Sequence, residues 1–308
     1  MTRNQILLFA AVPADLRGAL AERFELVSFE PTASGAGWAG FDIAITTGMH
    51  GASAAEFAAC PDLKLLVSQG VGLDMIDLEE ARRRDIAVAH TPDELWEDVA
   101  EAAIAMTCAL LRRVVEADRF VRSGRWGRER IAPSRRVAGK VMGIVGLGKI
   151  GRHIARRAEG IGMTVLYHDR VTQPDVPYRF VSTTTALAEQ ADVLALACPG
   201  GEATRNLVNA TVLDCLGRDG FLVNVARGTV VDEDALIEAL ESKRIAGAAL
   251  DVFASEPDID RRLLQMENVI LAPHASSITK ETRAAIIDRM IGDIAAFREG
   301  RPFYNAVD

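Results

Sequence analysis

The sequence predicts an α/β protein built from two parallel-sheet lobes, and three observations carry that expectation. Strand-like and helix-like segments alternate almost throughout, one strand pattern ends in a glycine-rich turn that opens a helix, and 308 residues supply about two domains. Apolar runs at Ile6–Ala10, Ile43–Thr46, Leu65–Ser68 and Ile86–Ala89 give the first lobe its strands, with a helix-like segment over Asp15–Arg23. A long helical stretch from about Glu97 to Arg122 leads into the second lobe, where strands fall near Val141, Val165, Val193, Leu222, Ala248 and Val269, enough for a six-strand sheet. A periodic stretch from about Lys280 to Gly300 closes the chain. The two helical stretches read as connectors, so residues 1–98 and 283–308 form one lobe and residues 99–282 form another inserted into it.

The span KVMGIVGLGKIG, Lys140 to Gly151, decides what the inserted lobe is for. Val141–Val145 is a buried-strand pattern that runs into G-x-G-x-x-G and then a helical periodicity from Ile150 to Gly160. In that arrangement Gly146 permits the tight turn, Gly148 lets backbone approach a pyrophosphate, and Gly151 lets the helix pack closely on the strand. The helix N-terminus supplies amide donors and positive dipole charge to phosphates. Thr164–Tyr167 reads as the next strand, and Asp169 just beyond it stands where a ribose 2′-hydroxyl is held. The expected architecture is therefore two Rossmann-like lobes, a doubly wound dinucleotide-binding domain inserted into a smaller flavodoxin-like domain.

Composition narrows the partners. Hydrophobic residues make up 49% and charged residues 25%, as in ordinary globular proteins, and the net charge of −8 argues against nucleic-acid or anionic-membrane binding. Against that balance, Arg112, Arg113, Arg119, Arg122, Arg125, Arg128, Arg130, Arg135 and Arg136 crowd one stretch. They read either as a phosphate-binding patch or as a solvated helix followed by an arm that packs on a partner subunit. The interleaved Glu116, Asp118 and Glu129 favour the second. Cys60, Cys108, Cys198 and Cys215 have neither metal-ligand nor disulfide-framework spacing, so no metal is expected and a reducing cytoplasm fits. The opening MTRNQILLFAAVPA reads as a first strand rather than a signal peptide, because a helix-like segment continues the alternation.

Chemistry is expected at the C-terminal strand ends of the inserted lobe, where ligands of such sheets bind. NVARGTVVDEDAL places Arg227 in a loop before a helix capped by Asp232, ALDVFASEP places Asp251 at a strand end and Glu256 in the loop, and LAPHASSIT places His274 after a strand. Singly, each has a plainer explanation: a surface ion pair, a solvated loop acid, a satisfied histidine. Together, an arginine, a carboxylate and a histidine on successive loops form an acid–base set. His50, His90, His153 and His168 lack such companions in the sequence.

These segments resemble the D-isomer-specific 2-hydroxyacid dehydrogenases, and within them the glyoxylate/hydroxypyruvate reductases. VGLGKIG, ACPGGEATRNLVN, LVNVARGTVVDEDAL, AALDVFASEP and APHASSIT stand in the family's order, and VSQGVGLDMIDLEEARRRDIAVAHTP is similar to its substrate-lobe segment. The resemblance implies that Arg227 grips the substrate carboxylate and polarises its carbonyl, that His274 is the general acid/base, and that Glu256 pairs with His274. It implies that the amides of Val71 and Gly72 complete the carboxylate site. For the cofactor it implies Gly146, Gly148, Lys149, Ile150 and Gly151 in the glycine turn, Asp169 and Arg170 after the next strand, and Cys198, Pro199 and Thr204 in the third segment. Val225, Ala226, Asp251 and Ser276 complete that set. It also implies a homodimer using the Arg-rich arm and the long helix.

Cofactor choice turns on Tyr167-His168-Asp169-Arg170-Val171. A carboxylate at Asp169 accepts ribose hydroxyls and repels a 2′-phosphate, which points to NAD, while Arg170 keeps NADP possible by pairing with that phosphate. Substrate identity stays open among glyoxylate- or hydroxypyruvate-like acids and aryl or branched 2-oxo acids. Gln69 stands where many relatives have an aromatic residue, and Trp96 either closes the pocket or anchors the start of the long helix. Met49 and Trp126 are further pocket candidates, Trp126 across a dimer. The other class of function is a dinucleotide-sensing binding protein like the corepressors of this fold. Those usually carry tails, whereas this chain begins at its first strand and ends near Tyr304, which favours an enzyme.

Overall fold

A computed structural model describes residues 4–30 and 38–303. Two compact units divide the chain, residues 1–95 with 279–308, and residues 96–278; both crossings fall a few residues earlier than the sequence pattern placed them.

The first unit holds β1 (Gln5–Leu8), α1 (Ala14–Ala21), β2 (Glu25–Ser28), β3 (Ile43–Thr47), α2 (Ala54–Ala59), β4 (Leu65–Gln69), α3 (Leu78–Arg83) and β5 (Ala87–His90). All its pairings are parallel, in the order β2-β1-β3-β4-β5, the flavodoxin-like winding. The strands β1, β3 and β4 are buried on both faces, which is why they read as continuous apolar runs. One face packs with α1 and the C-terminal helix through Leu16, Leu20, Ile286, Met290 and Ile294; the other buries Phe57, Leu63 and Ile76. The edge strand β2 was not expected. Its residues ELVS are partly exposed, so no apolar run marks it.

The second unit begins with α4 (Trp96–Leu111) and α5 (Val114–Arg122), which correct the expected single helix from Glu97 to Arg122. Arg113 turns left-handed, at φ 54°, and re-aims the chain between them. The sheet elements follow: β6 (Val141–Val145), α6 (Lys149–Gly160), β7 (Thr164–His168), β8 (Arg179–Phe180), α7 (Thr184–Gln190), β9 (Val193–Leu196), α8 (Ala210–Leu216), β10 (Phe221–Asn224), α9 (Glu233–Glu241), β11 (Gly247–Leu250), α10 (Arg261–Leu264) and β12 (Val269–Leu271). The helix α11 (Lys280–Arg298) then belongs to the first unit.

The parallel order β12-β11-β10-β9-β6-β7-β8 gives seven strands rather than six. The extra one, β8, is only two residues long and half solvated, too short to leave a sequence pattern. The order reverses between β6 and β9, and the crevice outside their C-terminal ends is where a doubly wound sheet binds its ligand. No helix among the described residues is long and apolar enough to cross a membrane, and no cluster of metal-ligating side chains occurs among them.

Candidate active site

The glycine turn lies at that crevice. Gly146 has φ 89°, and a Cβ there would stand 2.7 Å from the Cα of Cys198, two residues beyond the end of β9. A Cβ on Gly151 would stand 2.1 Å from the Gly146 carbonyl oxygen, so both glycines are fixed by the protein's own packing. Gly148, which caps α6, is different: nothing lies within 4 Å of where its Cβ would be. Open space beside the first amides of a twelve-residue helix suits a pyrophosphate. Lys149, the first residue of α6, holds its Nζ 3.9 Å above the Trp96 ring, with the His153 ring beside it. Trp96 thus anchors the start of α4 on α6.

Asp169 is tied to the same turn. One carboxylate oxygen accepts from Leu147 N–H at 2.9 Å and the other from Arg170 N–H at 2.7 Å, leaving each a further lone pair. Arg170 itself is exposed. Cys198 is buried, and burial pushes its thiol up to about 11, so it packs as a neutral group. Thr204 spends its hydroxyl on the carbonyls of Pro199 and Gly201, closing the loop after β9.

The acid–base residues come from three neighbouring loops. Arg227 follows β10, and Asn224, 1% exposed, fixes that loop by accepting from Ala226 N–H and donating to the Arg227 carbonyl, both at 3.0 Å. Gly228 then lies flat on the next loop, since a Cβ there would sit 1.8 Å from the Phe253 carbonyl carbon. That loop carries Glu256, whose Oε1 accepts from Phe253 N–H at 2.8 Å and whose Oε2 lies 2.7 Å from His274 Nδ1. Burial raises the Glu256 carboxyl, but hydrogen bonds from His274 and Phe253, with the charges of His274 and Arg227, outweigh it and hold the group below its ordinary value. An ionised carboxylate can only accept, so Nδ1 carries the proton and Nε2 is left to exchange one.

His274 adopts φ 51°, a left-handed conformation that histidine tolerates better than most residues. Asp251 holds it there. Its backbone carbonyl accepts from His274 N–H at 2.8 Å, and its carboxylate, 2% exposed, accepts from Ala275 and Ser276 N–H. The sequence placed Asp251 among cofactor ligands; the structure shows its carboxylate ordering the histidine loop. The Ser276 hydroxyl is buried with no hydrogen-bond partner among the described residues, and a bound polar group would satisfy it. Asn224 and Gly228 were missed by sequence reasoning. A buried asparagine ending an apolar strand was the available signal, because such a side chain must find partners.

In the first unit, Val71 and Gly72 follow β4. The Val71 carbonyl lies 3.1 Å from His90 Nδ1, while neither residue's N–H donates to any acceptor among the described residues. Two adjacent unspent amides are the kind of donors that backbone anion sites use.

Residues 104–276 match the D-isomer specific 2-hydroxyacid dehydrogenase, NAD binding domain. The chain belongs to the D-isomer-specific 2-hydroxyacid dehydrogenase family. It is 44% identical over 257 residues to glyoxylate/hydroxypyruvate reductase A of Arabidopsis thaliana, spanning 83% of this chain and 82% of the relative. It is also 44% identical over 254 residues to the 2-ketogluconate reductase of Gluconobacter oxydans, spanning 82% of each. Among solved structures, the NADPH-dependent glyoxylate/hydroxypyruvate reductase of Sinorhizobium meliloti, in complex with NADP and malonate, superposes with a TM-score of 0.91 at 36% identity, over 99% of this chain and 97% of that one. The protein is an NAD(P)-dependent oxidoreductase of this family, and the open face at Gly148, the α6 amides and the unsatisfied Ser276 hydroxyl fit such a cofactor.

Proposed function

We propose that this dehydrogenase reduces a small 2-oxo acid of the glyoxylate and hydroxypyruvate kind to the D-2-hydroxy acid. The observation that carries the reading is the His274–Glu256 bond with Arg227 close enough to act on the same carboxylate. When bound, the nicotinamide cofactor supplies the hydride. The chain's own groups do the rest. Reduction puts negative charge on the carbonyl oxygen, and a permanently charged, planar guanidinium at Arg227 neutralises it while gripping the carboxylate. His274 Nε2 delivers the proton, with Glu256 fixing the ring and stabilising its charge. The free amides of Val71 and Gly72 bind the substrate carboxylate, so residues 1–95 and 279–308 serve as the substrate lobe and 96–278 as the nucleotide lobe. The glyoxylate/hydroxypyruvate and 2-ketogluconate reductases among its relatives support this substrate class over a dinucleotide sensor.

A cytoplasmic homodimer is part of the proposal. Around the Arg-rich segment, Val121, Trp126 and Ile131 stand exposed, Trp126 by 73%, and this apolar surface suits a subunit contact. The arginines pair locally, Arg113 with Glu116, Arg122 with Asp118 and Arg125 with Glu129, which supports the arm reading over a phosphate patch. The four cysteines are free, as a reducing compartment requires.

The deciding experiment is the initial rate of hydroxypyruvate reduction with NADH and with NADPH at equal, limiting concentrations. Turnover with NADH ahead of NADPH is expected, because Asp169 stands where the 2′-phosphate would enter. Asp169→Ser should shift the preference towards NADPH by roughly tenfold, since one removed like-charge contact of about 1.4 kcal/mol is a factor of ten; an unchanged KM for NADPH would show that another residue discriminates. Direction should respond to pH. Glu256 is held below the ordinary carboxylate value and stays ionised from neutral to alkaline pH, and the proton donor it orients must start protonated for reduction and neutral for oxidation. Reduction is expected to lose rate as pH rises while oxidation gains it, and superimposable profiles in the two directions would remove His274 from the proton step.

A further inference from the structure

The first unit contains a second histidine–carboxylate pair, which the chemistry above does not use. His50 Nε2 lies 2.7 Å from Glu56 Oε1. The other oxygen of Glu56 accepts from both the N–H and the hydroxyl of Ser53, each at 2.7 Å, in the capping box that starts α2. Burial raises this carboxyl, but the bonds from Ser53 and His50 outweigh it and hold it below its ordinary value, so it is an acceptor only. Nε2 therefore carries a proton. In the neutral ring the lone pair sits on Nδ1, which has no partner among the described residues, and the side chain is 42% exposed.

The turn bearing this ring is pinned beside the two free amides. Thr47 and Gln69 end β3 and β4 in register, and Gly48 N–H donates to the Gln69 carbonyl at 3.0 Å. A Cβ on Gly48 would stand 3.4 Å from the Gly72 carbonyl oxygen. The turn closes through Gly51 N–H on the Thr47 carbonyl and through the Thr46 hydroxyl on the Gly51 carbonyl. Gly51 has φ 73°, and a Cβ there would sit 1.9 Å from the Met75 carbonyl oxygen, so the turn lies tight along the loop that follows Val71–Gly72. The ring nitrogen that Glu56 leaves unengaged, an acceptor when the ring is neutral, thus belongs to a turn at the same strand ends as the proposed carboxylate-binding amides.

We infer that His50, oriented by Glu56, is a specificity residue that accepts a hydrogen bond from a hydroxyl on the carbon beyond the substrate carbonyl, and so selects hydroxylated 2-oxo acids. The inference rests on the reductase reading above. A methyl group at that position leaves Nδ1 unpaired, and an aryl group covers it without satisfying it, so each loses what a hydroxyl gains. Gln69, where an aromatic residue was the family expectation, adds polarity at the same edge.

The test compares kcat/KM for hydroxypyruvate and pyruvate, which differ by one hydroxyl, in the wild-type enzyme, in His50→Leu and in His50→Gln. The wild type is expected to prefer hydroxypyruvate. His50→Leu should lower the hydroxypyruvate-to-pyruvate ratio by about tenfold through hydroxypyruvate alone, and His50→Gln, which keeps a side-chain acceptor, should retain part of the preference. A ratio unchanged in His50→Leu, a fall shared equally by both acids, or a wild type that prefers pyruvate overturns the assignment while leaving the reductase reading intact. A wild type that reduces neither acid with either cofactor overturns the reductase reading itself, before any variant is made.

Discussion

Replacing His274 by alanine is expected to lower turnover by about two to four orders of magnitude, the usual worth of a positioned proton donor. The size follows from how little else in the acid–base set can take over. Glu256 is the nearest titratable neighbour, but both its oxygens are occupied, one by Phe253 N–H and one by the histidine itself, and it is held ionised at neutral pH. It has no proton to give. The loss should fall on kcat with little change in KM, because the proton is needed as charge develops and not when the substrate binds. Near-normal turnover in His274→Ala would remove the residue from the proposed role. Folding should survive, since the side chain is about one-third exposed, at 34%, and the loop's backbone is held by Asp251.

Much of this site was legible because its logic is local. A strand ending in G-x-G-x-x-G needs Gly146 for a positive φ and Gly151 for a 2.1 Å approach, and no tertiary knowledge is required to read either. Arg227, Glu256 and His274 were visible as loop residues after apolar strands because each parallel strand delivers its C-terminal end to the same edge. Their supporting roles were less visible. Asp251 was singled out but read as a cofactor ligand, and Asn224 was passed over, because both act through backbone amides and carbonyls whose bonds the sequence does not spell out. Gly228 looked like one more loop glycine until the Phe253 backbone was found against it. The His50–Glu56 pair escaped notice for a different reason. Its two members lie six residues apart across a turn, a spacing that suggests neither helix nor strand partnership. The missing elements, β2 and β8, are edge strands with solvated faces, and an edge strand need not be apolar on both sides to pair.

Arg227→Lys is expected to cost about 10²–10³-fold in kcat, comparable with removing one donor from a preorganised oxyanion site. The charge is conserved, so a simple electrostatic view would forecast a small effect. Geometry forecasts a large one. The guanidinium must meet a carboxylate and a carbonyl oxygen of the same small acid, and only a planar fork can offer parallel donors to one while reaching the other. An ammonium group is a point charge on a flexible stem and must choose between them. The loop supports the difference, because Asn224 fixes the backbone on both sides of the side chain and Gly228 presses it against Phe253. A rigid base aims a rigid fork. KM for the 2-oxo acid should rise less than kcat falls, since part of the ground-state attraction survives in lysine while the bond to the developing oxyanion does not. A variant in which KM alone rises, with kcat preserved, would confine Arg227 to carboxylate binding and pass the polarising role to another group. Arg227→Gln sharpens the outcome: if charge neutralisation is the larger part of the effect, glutamine falls well below lysine, and if donor geometry dominates, the two fall together.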